Sequence, residues 1–440
     1  MLVKLPREVG KVLTRMQDNG FEAYVAGECV RDSILGRKPF GWDVVTNANL
    51  DQLKAALPEA EVFSSKYGVV RLEYIHEVTD KETGESLETG FIVDVASYRK
   101  NAQYKNGKLT GAEATQNIEA DLACREFTID AIAENNTKLC DPYEGREDIR
   151  KRLIRTVGDA DSMFKDDPIR MMKAVRIAAE LGFDLHKNVY EAIVANCKLL
   201  EETDVNSIRE EFEAVMVSPN AGKGLNMILD TGMISAIISQ ETVNRLSKRE
   251  MEDLTVLSEN VDKTQPVRER RLGLFYACIN KGRSLPAIDR LQYDEHTEML
   301  LKDAVKYLPK LYFTSTKPEL KKFIYKFGWE RYNYLASMEK AQRIIFEYFS
   351  DTKIKSKIYM LEEIKNYREP IFPDEMAIDA NDLVEAGICK PEKAEELLRM
   401  LCEELHTHPR KNTREQLLKL AKTYSKNKLA AWLRGIHFAH

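Results

Sequence analysis

The sequence predicts an α/β or α+β domain at the start of the chain and helical modules in the remainder. Four runs rich in β-branched and aromatic residues, which are typical of strands, lie before residue 100: EAYVA near 22, WDVVT near 42, VVRLEYI near 69 and FIVDVASY near 91. Beyond Arg152 these runs give way to long amphipathic periods, which indicate helices. One such period comprises Ile169, Met172, Val175 and Ala179.

Turn-forming residues predict where these elements end. The run TDKETGESLETG at 79–90 is charged and turn-rich, so we expect an exposed hairpin tip between the third and fourth strands. An N-terminal helix is expected to end at Gly20. Prolines predict breaks between helices near Pro219, Pro266 and Pro309, and between Pro370 and Pro373.

Composition argues against membrane insertion, disulfides and zinc. The 440 residues are 43% hydrophobic and 31% charged, and no apolar run approaches the roughly 20 residues that span a bilayer. The N-terminus has no apolar signal-peptide core, so we expect a cytoplasmic protein. Seven scattered cysteines, with no CxxC pair and no histidine at ligand spacing, argue against a disulfide framework and a zinc site.

Any binding of nucleic acid must come from a local basic surface, because the net charge of the chain is -5. One candidate is the stretch from 410 to 434, whose cations are accompanied by Glu415 alone. The cations are Arg410, Lys411, Arg414, Lys419, Lys422, Lys426, Lys428 and Arg434. This stretch is either an RNA-contacting surface or an ordinary solvated helix face.

A candidate phosphate-binding turn lies near the N-terminus. The segment YVAGECVRD at 24–32, followed by LGR at 35–37, has the pattern of a strand, a tight turn and a helix start. Backbone amides at such a turn can hold phosphates, and Arg31 can add a charge-assisted contact. A second strand, GWDVVT at 41–46, follows. This order resembles the polymerase-β-like nucleotidyltransferases, in which Gly-Gly-x-Val-Arg-Asp precedes an Asp-x-Asp strand.

The resemblance implies a divalent metal site on the second strand. Residues i and i+2 of a strand point to one face, so the family's Asp-x-Asp pair presents two carboxylates to the same Mg²⁺ ions. Here Gly41 stands at the first position and Asp43 remains as the sole member of the pair. Asp94, on the fourth predicted strand, is either a third carboxylate of the site or a structural residue. Asp43 and Asp94 are thus the candidate catalytic residues of a weakened Mg²⁺ site.

The phosphate turn departs from the family pattern at its second glycine. Gly27 matches, whereas Glu28 stands where the pattern has glycine. A carboxylate 4 Å from a unit negative charge on a phosphate repels it by roughly 4 kcal/mol in a surface-like dielectric. Glu28 therefore either weakens nucleotide binding, turns away, or replaces from across the site the carboxylate that is missing at Gly41.

A third segment, DLACREFTIDA at 121–131, resembles the family's Arg-Arg-Asp-Phe-Thr-Ile-Asn motif. In the family, its Arg and Asp are associated with the phosphates and ribose of the nucleotide. Arg125 matches, whereas Cys124, Glu126 and Asp130 depart from the pattern. Cys124 removes a cation, and Glu126 keeps the charge on a longer arm. The resemblance implies that Arg125 binds the nucleotide.

The run FKDDPIRMMKAVR at 164–176 resembles the Glu-Asp-x-x-Arg element with which class II enzymes read the incoming base. Asp167 can accept from the amino group shared by cytosine and adenine, and Arg170 can donate to the neighbouring ring acceptors. The family's further cations fall on Lys173 and Arg176. The alternative is a surface helix with an ion pair between Asp167 and Arg170, three residues apart on one helical face.

The resemblance also implies the arrangement of domains. It predicts a polymerase-β-like nucleotidyltransferase head, or palm, at 1–150, followed by an all-α neck at 151–215, body at 216–360 and RNA-binding-like tail at 361–440. The tail pattern starts at IDANDLVEAGI, 378–388. Its glycines are replaced here by Ala380, Glu392 and Ala394, so close approach of the backbone to phosphate is reduced.

On these motifs the chain is identified as a member of the class II tRNA nucleotidyltransferase and poly(A) polymerase family. The family implies addition of CMP and AMP, from CTP and ATP, to the 3′ end of a tRNA or another RNA. The run SSKYGVV at 64–70 replaces the Gly-Arg-Arg-Phe-like run of poly(A) polymerases and favours CCA addition over A-only or poly(A) addition. The altered turn, metal strand and tail leave a second hypothesis, a catalytically inactive member that binds nucleotide or RNA or acts as a scaffold.

Overall fold

The computed structural model of the protein describes residues 3–79 and 86–427. The tip of the predicted hairpin, residues 80–85, and two of the predicted C-terminal cations, Lys428 and Arg434, lie outside these ranges. None of the helices within them combines the length and the hydropathy that crossing a bilayer requires.

The chain forms two units. The first consists of Met1–Leu246 with Arg290–Gln292, and the second of Ser247–Asp289 with Tyr293–His440. All strands of the described residues belong to the first unit. The predicted boundaries of head, neck, body and tail are finer than this division and stay a prediction.

The strands build one large sheet and two small ones. In chain order they are β1 Ala23–Ala26, β2 Trp42–Thr46, β3 Glu61–Ser64, β4 Val69–Thr79, β5 Ser86–Ser97, β6 Arg99–Lys105, β7 Lys108–Ala114, β8 Ala133–Glu134, β9 Leu139–Cys140, β10 Leu153–Ile154 and β11 Asp184–Leu185. Seven form a mixed sheet in the order β3-β4-β5-β2-β1-β8-β9. The hairpin β6–β7 and the pair β10–β11 are separate.

The four predicted strands are confirmed as β1, β2, β4 and β5. The strands without a prediction are too short or too polar to show the hydrophobic signal. Strands β8 and β9 have two residues each, and most residues of β6 and β7 are exposed. Pairing with neighbours, rather than residue preference, makes these segments strands.

The register of the central strands places charged residues side by side. Strand β2 runs parallel to β5 with Asp43 opposite Asp94, and β4 runs antiparallel to β5 with Arg71 opposite the same Asp94. Residues opposite each other on paired strands point to one face of the sheet. One position along, Val44 and Val95 point to the other face and are fully buried. The hydrophobic register thus directs the three charged side chains to a common face.

The helices of the first unit complete it. They are α1 Arg7–Asp18, α2 Glu28–Ile34, α3 Leu50–Ala56, α4 Ile118–Leu122, α5 Gly145–Lys151, α6 Ala160–Asp166, α7 Ile169–Leu181, α8 Lys187–Asn196, α9 Val205–Val217, α10 Ala221–Asp230, α11 Ile234–Ile238 and α12 Gln240–Asn244. The N-terminal helix is confirmed: α1 buries Val9, Val12, Leu13 and Met16, and Gly20 follows it at a φ of 82°.

The remaining helices follow in chain order. They are α13 Lys248–Asn260, α14 Arg268–Ala277, α15 Lys281–Arg290, α16 Glu295–Phe313, α17 Lys317–Ile345, α18 Asp351–Asn366, α19 Ala380–Glu385, α20 Pro391–Thr407 and α21 Arg414–Asn427. Capping boxes at Ser247, Thr316 and Asp379 start α13, α17 and α19. The predicted fold class, an α/β domain followed by helices, is confirmed.

Most of the predicted helix breaks are confirmed, but the break at Pro309 is wrong. Helix α16 continues through Pro309 to Phe313. Proline removes one backbone donor and strains the preceding turn. Leu308 and Leu311, beside it, are at most 2% exposed. Burial of these side chains offsets the missing hydrogen bond, and sequence alone does not show that burial.

A buried ion pair joins α17 and α18 within the second unit. Lys357 Nζ lies 2.8 Å from Glu339 Oε1 and donates to the Leu311 carbonyl at 2.9 Å. Both charged side chains are only 4% exposed. Each partner therefore depends on the other for compensation of its buried charge.

We expect Glu339→Ala to lower the free energy of unfolding by about 3–5 kcal/mol, because it leaves the Lys357 ammonium buried without its counter-charge. Urea denaturation followed by circular dichroism measures the loss. The control is the double variant Glu339→Leu/Lys357→Met, which removes both charges and should be less destabilised. Equal losses in the two variants would show that packing, and not charge, is responsible.

Candidate functional site

The predicted phosphate turn connects β1 to α2. Gly27 adopts a φ of 86° and a ψ of -142°, a conformation that side-chain-bearing residues avoid. A Cβ atom at this position would lie 2.8 Å from Nη1 of Arg125. Glycine is thus required both for the turn and for the approach of Arg125. The structure brings Gly27 and Arg125 together, although 97 residues separate them in the chain.

Arg31 is buried among carboxylates. Its Nη1 atom lies 2.8 Å from Asp130 Oδ1 and 4.0 Å from Glu28 Oε1, and its Nε atom lies 3.0 Å from Asp32 Oδ1. The Arg31 side chain is 4% exposed. Its charge is therefore engaged inside the protein, beside the turn rather than open to a ligand.

The charges around this turn shift the titration of Asp130. Burial raises the pKa of Asp130 to about 7, the Arg31 guanidinium opposes the rise, and Glu28 adds to it. The Glu28 side chain is 62% exposed, so it points toward solvent rather than into the protein. The two carboxylates make the turn less attractive to a phosphate than the family pattern does.

Strands β2 and β5 each carry one carboxylate of the predicted metal site: among the described residues Asp43 on β2 has no ion-pair partner, whereas Asp94 on β5 has one. Asp94 accepts two hydrogen bonds of 2.7 Å from Nε and Nη2 of Arg71, one on each carboxylate oxygen. Cζ of Arg71 also lies 3.7 Å from the centre of the Phe63 ring. Burial raises the pKa of Asp43; the charge of Arg125 opposes this rise, and those of Asp94 and Glu28 add to it.

Mg²⁺ prefers several oxygen ligands, of which carboxylates are the usual protein contribution. Asp43 is available, but both oxygens of Asp94 already bind Arg71, and Gly41 offers no side chain. Within residues 3–79 and 86–427, no three His, Cys, Asp or Glu side chains are placed to hold a metal ion. The donor set does not fit a two-metal clamp. A Cβ at Gly41 would meet only the Ile92 carbonyl, at 3.5 Å, so the strand has room for a side chain.

The third segment links the turn to α7. Arg125 lies 3.8 Å from buried Asp121, and Glu126 Oε1 lies 3.1 Å from Lys173 Nζ and 3.4 Å from Arg170 Nε. Sequence reasoning assigned Glu126 only a mild change of length. In the structure its carboxylate holds two of the predicted nucleotide-binding cations.

Asp167 and Arg170 are buried, not on a surface helix. Asp167 is 2% and Arg170 7% exposed. Asp167 also precedes the helix, because Pro168 caps α7, which begins at Ile169. The surface-helix alternative is wrong, since Arg170 pairs with Glu126 and Asp167 Oδ2 accepts the Gly107 N–H at 2.8 Å.

The tip of the β6–β7 hairpin therefore touches the predicted base-reading residues. Besides the bond from Gly107 to Asp167, the Arg170 guanidinium lies 4.9 Å from the Tyr104 ring centre. Sequence reasoning missed this hairpin, as it missed Arg71 and Phe63. The dipeptide Asn106-Gly107 is a turn signal that could have found it.

A cavity of about 480 Å³ lies between these elements. Its lining includes Lys100, Cys124, Arg125, Met163, Asp166 and Arg170. Lys100, Arg125 and Arg170 thus reach one space, together with the carboxylates of Asp159 and Asp166. Arg176 belongs to a different neighbourhood, since Glu180 and Glu211 bind it at 2.8 and 2.7 Å.

In the second unit, the predicted tail elements form their own core. The Asp379 side chain caps α19 by accepting a hydrogen bond from the Asp382 N–H, and Ala394 is 2% exposed within the core. Two cations of the predicted basic stretch are paired, Lys411 with Glu404 at 3.1 Å and Arg414 with Asp382. This pairing reduces the charge that the described part of the stretch offers to RNA.

Comparison with known proteins gives two family matches. Residues 23–155 match the family described as poly A polymerase head domain, and residues 182–242 match the family described as probable RNA and SrmB-binding site of polymerase A. The CCA-adding enzyme of Geobacillus thermodenitrificans is 34% identical over 224 residues, which are 50% of this chain and 52% of that protein. The chain thus spans about half the length of this curated relative. The CCA-adding enzyme of Lactobacillus delbrueckii subsp. bulgaricus is 30% identical over 278 residues, 63% of this chain and 64% of that protein.

Solved structures show the same fold. The CCA-adding enzyme of Bacillus stearothermophilus in complex with CTP superposes with a TM-score of 0.71 at 24% identity, covering 96% of this chain and 98% of that one. The Thermotoga maritima CCA-adding enzyme complexed with tRNA gives 0.64 at 19% identity, covering 95% and 96%. The turn at Gly27, the strand of Asp43 and the segment of Arg125 all lie within the matched head domain. Residues 23–155 thus resemble the poly A polymerase head domain in sequence, and the fold of the chain is similar to the folds of solved CCA-adding enzymes.

Proposed function

We propose that the protein is a template-independent RNA nucleotidyltransferase that adds CMP and AMP, from CTP and ATP, to the 3′ end of a tRNA. The observation that carries this proposal is the convergence of Arg125, packed on Gly27, and Arg170, beside Asp167, on one cavity. The names of the relatives support it, since they are CCA-adding enzymes.

The residues divide the work between phosphate and base. Arg125 binds the triphosphate over the Gly27 turn. Lys173, which lies beside Glu126, supplies a second positive charge. Asp167 accepts from the amino group of cytosine or adenine, and Arg170 donates to the adjoining ring acceptors. The Gly107 N–H that now binds Asp167 marks the position that the amino group of the base would take.

In the reaction, the 3′-hydroxyl oxygen of the RNA forms a bond to the α-phosphorus, and the bond to pyrophosphate breaks. The hydroxyl proton must leave as this bond forms. Asp43 is the carboxylate available to take it, and its raised pKa makes it a better proton acceptor than a solvent-exposed aspartate. We further propose that the Mg²⁺ site is weakened, because Gly41 supplies no carboxylate and Asp94 is bound by Arg71.

Restoring the missing carboxylate tests this proposal. We expect slow incorporation of labelled CTP and ATP into tRNA lacking its 3′ end, and about tenfold or faster incorporation by Gly41→Asp, because a metal ligand contributes several kcal/mol to the transition state. Gly41→Ala, which adds only the Cβ, is the matched control and should not accelerate incorporation. Asp43→Ala should abolish incorporation. Silence from the unmodified chain and from Gly41→Asp would favour the binding or scaffold hypothesis.

Base selection tests the proposed role of Asp167. Asp167→Ala should reduce the preference for CTP and ATP over UTP and GTP by about 5- to 150-fold, since a base-edge contact contributes about 1–3 kcal/mol to discrimination. The ratio of kcat/KM values for the four nucleotides measures it. Asp18→Ala, at an exposed carboxylate at the end of α1, is the control. An unchanged ratio in Asp167→Ala would remove Asp167 from the reading role.

The raised pKa of Asp130 predicts a pH-dependent stability. Since the folded pKa of about 7 exceeds the unfolded value of 3.8, the contribution of Asp130 is full at low pH and is lost as the pH rises through about 7. Asp130→Asn replaces the titrating carboxyl by an amide and so removes this loss of stability. Relative to the unmodified chain, its free energy of unfolding should therefore rise between about pH 4 and pH 8. Urea denaturation at several pH values measures the difference, and a difference independent of pH would contradict the assignment.

A further inference from the structure

The face of the sheet that bears Asp43 also carries a fixed cation. Three neighbouring strands, β4, β5 and β2, place Arg71, Asp94 and Asp43 in a row at matching register positions. The Arg71 side chain is 26% and that of Asp94 25% exposed, so the pair is neither fully solvated nor shut inside the core. A positive group therefore lies one strand away from Asp94, and Asp94 lies one strand away from Asp43.

Three contacts fix the Arg71 guanidinium. Two are the parallel hydrogen bonds of 2.7 Å to Asp94, the bidentate geometry that matches a guanidinium fork to a carboxylate. The third is the Phe63 ring, whose centre lies 3.7 Å from Cζ. Stacking on an aromatic face favours the same planar orientation as the bidentate pair. Arg71 is thereby held in place from two sides.

We propose that Arg71 is a positioning residue that binds Asp94 and so withholds this carboxylate from a divalent cation beside Asp43. A cation that used Asp94 would have to share its oxygens with a fixed positive charge or displace the guanidinium. Like charges at such short range repel strongly. Gly41 and Arg71 then weaken the same site in two ways, one by removing a ligand and the other by engaging the remaining one.

This role of Arg71 rests on the proposed function only for the identity of the cation. The proposed role predicts how tightly the full chain binds a divalent ion when RNA and nucleotide are absent. Mn²⁺ is the probe, because its electron paramagnetic resonance signal reports the free ion directly. If no variant incorporated nucleotides, the proposed function would fail while the Mn²⁺ result still decided the role of Arg71.

The test compares Mn²⁺ affinity in variants of equal charge change. Arg71→Gln should bind Mn²⁺ about tenfold or more tightly than the unmodified chain, since it removes a nearby positive charge and releases Asp94. Arg15→Gln, which removes an exposed arginine paired with Glu59 in the same unit, should change affinity less than about twofold, because exposed distant charges are screened. Adding Asp94→Asn to Arg71→Gln should abolish the gain.

A second variant guards against misfolding of Arg71→Gln. Phe63→Ala removes the stacking ring but leaves both charges, and Phe63 is 59% exposed, so the fold should tolerate its loss. We expect a smaller gain in Mn²⁺ affinity, about two- to fivefold, as Arg71 loosens. The proposal would be overturned if Arg71→Gln and Arg15→Gln bound Mn²⁺ with equal affinity, or if the gain in affinity survived Asp94→Asn. If Arg71→Gln does not fold, the absence of a gain in Phe63→Ala would overturn it instead.

Discussion

The parallel register between β2 and β5 is the constraint on which the candidate site depends. It sets Asp43 directly opposite Asp94, while Val44 and Val95 on the opposite face are buried. A slip by one residue would turn these valines toward solvent and the aspartates into the core. The hydrophobic core therefore also determines which carboxylates share the opposite face of the sheet. The neighbouring strand β4 places Arg71 in the same row, directly opposite Asp94.

The predicted phosphate turn depends on one close approach. Arg125 lies against Gly27, so that turn and cation form a single surface. Around them the chain adds negative charge, with Glu28 at the turn and Asp130 beside buried Arg31. The fold is thus similar to that of solved CCA-adding enzymes, while Gly41 on β2 and Glu28 in the turn depart from the predicted motif pattern. Arg125 and Arg170 both line one cavity of about 480 Å³.

Several features could be predicted from single residues, and others could not. The turn at Gly27 follows from a glycine before a helix start, and α1 follows from its apolar period. The role of Arg71 could not be predicted, because it depends on which residue of β5 lies opposite it. The continuation of α16 through Pro309 depends in the same way on burial of the leucines beside it.

By itself the sequence determined the fold class and the order of the motifs, because these depend on local preferences, hydrophobic periods and residue types at fixed spacing. It also placed Asp43, Arg125, Asp167 and Arg170 among the candidates. Only the tertiary structure decided what these groups touch: Asp94 is bound by Arg71, Arg170 and Lys173 share Glu126, and Asp167 accepts from the β6–β7 hairpin. The physical reason is that the charge available to a ligand depends on partners distant in sequence, and strand register and helix packing bring those partners together.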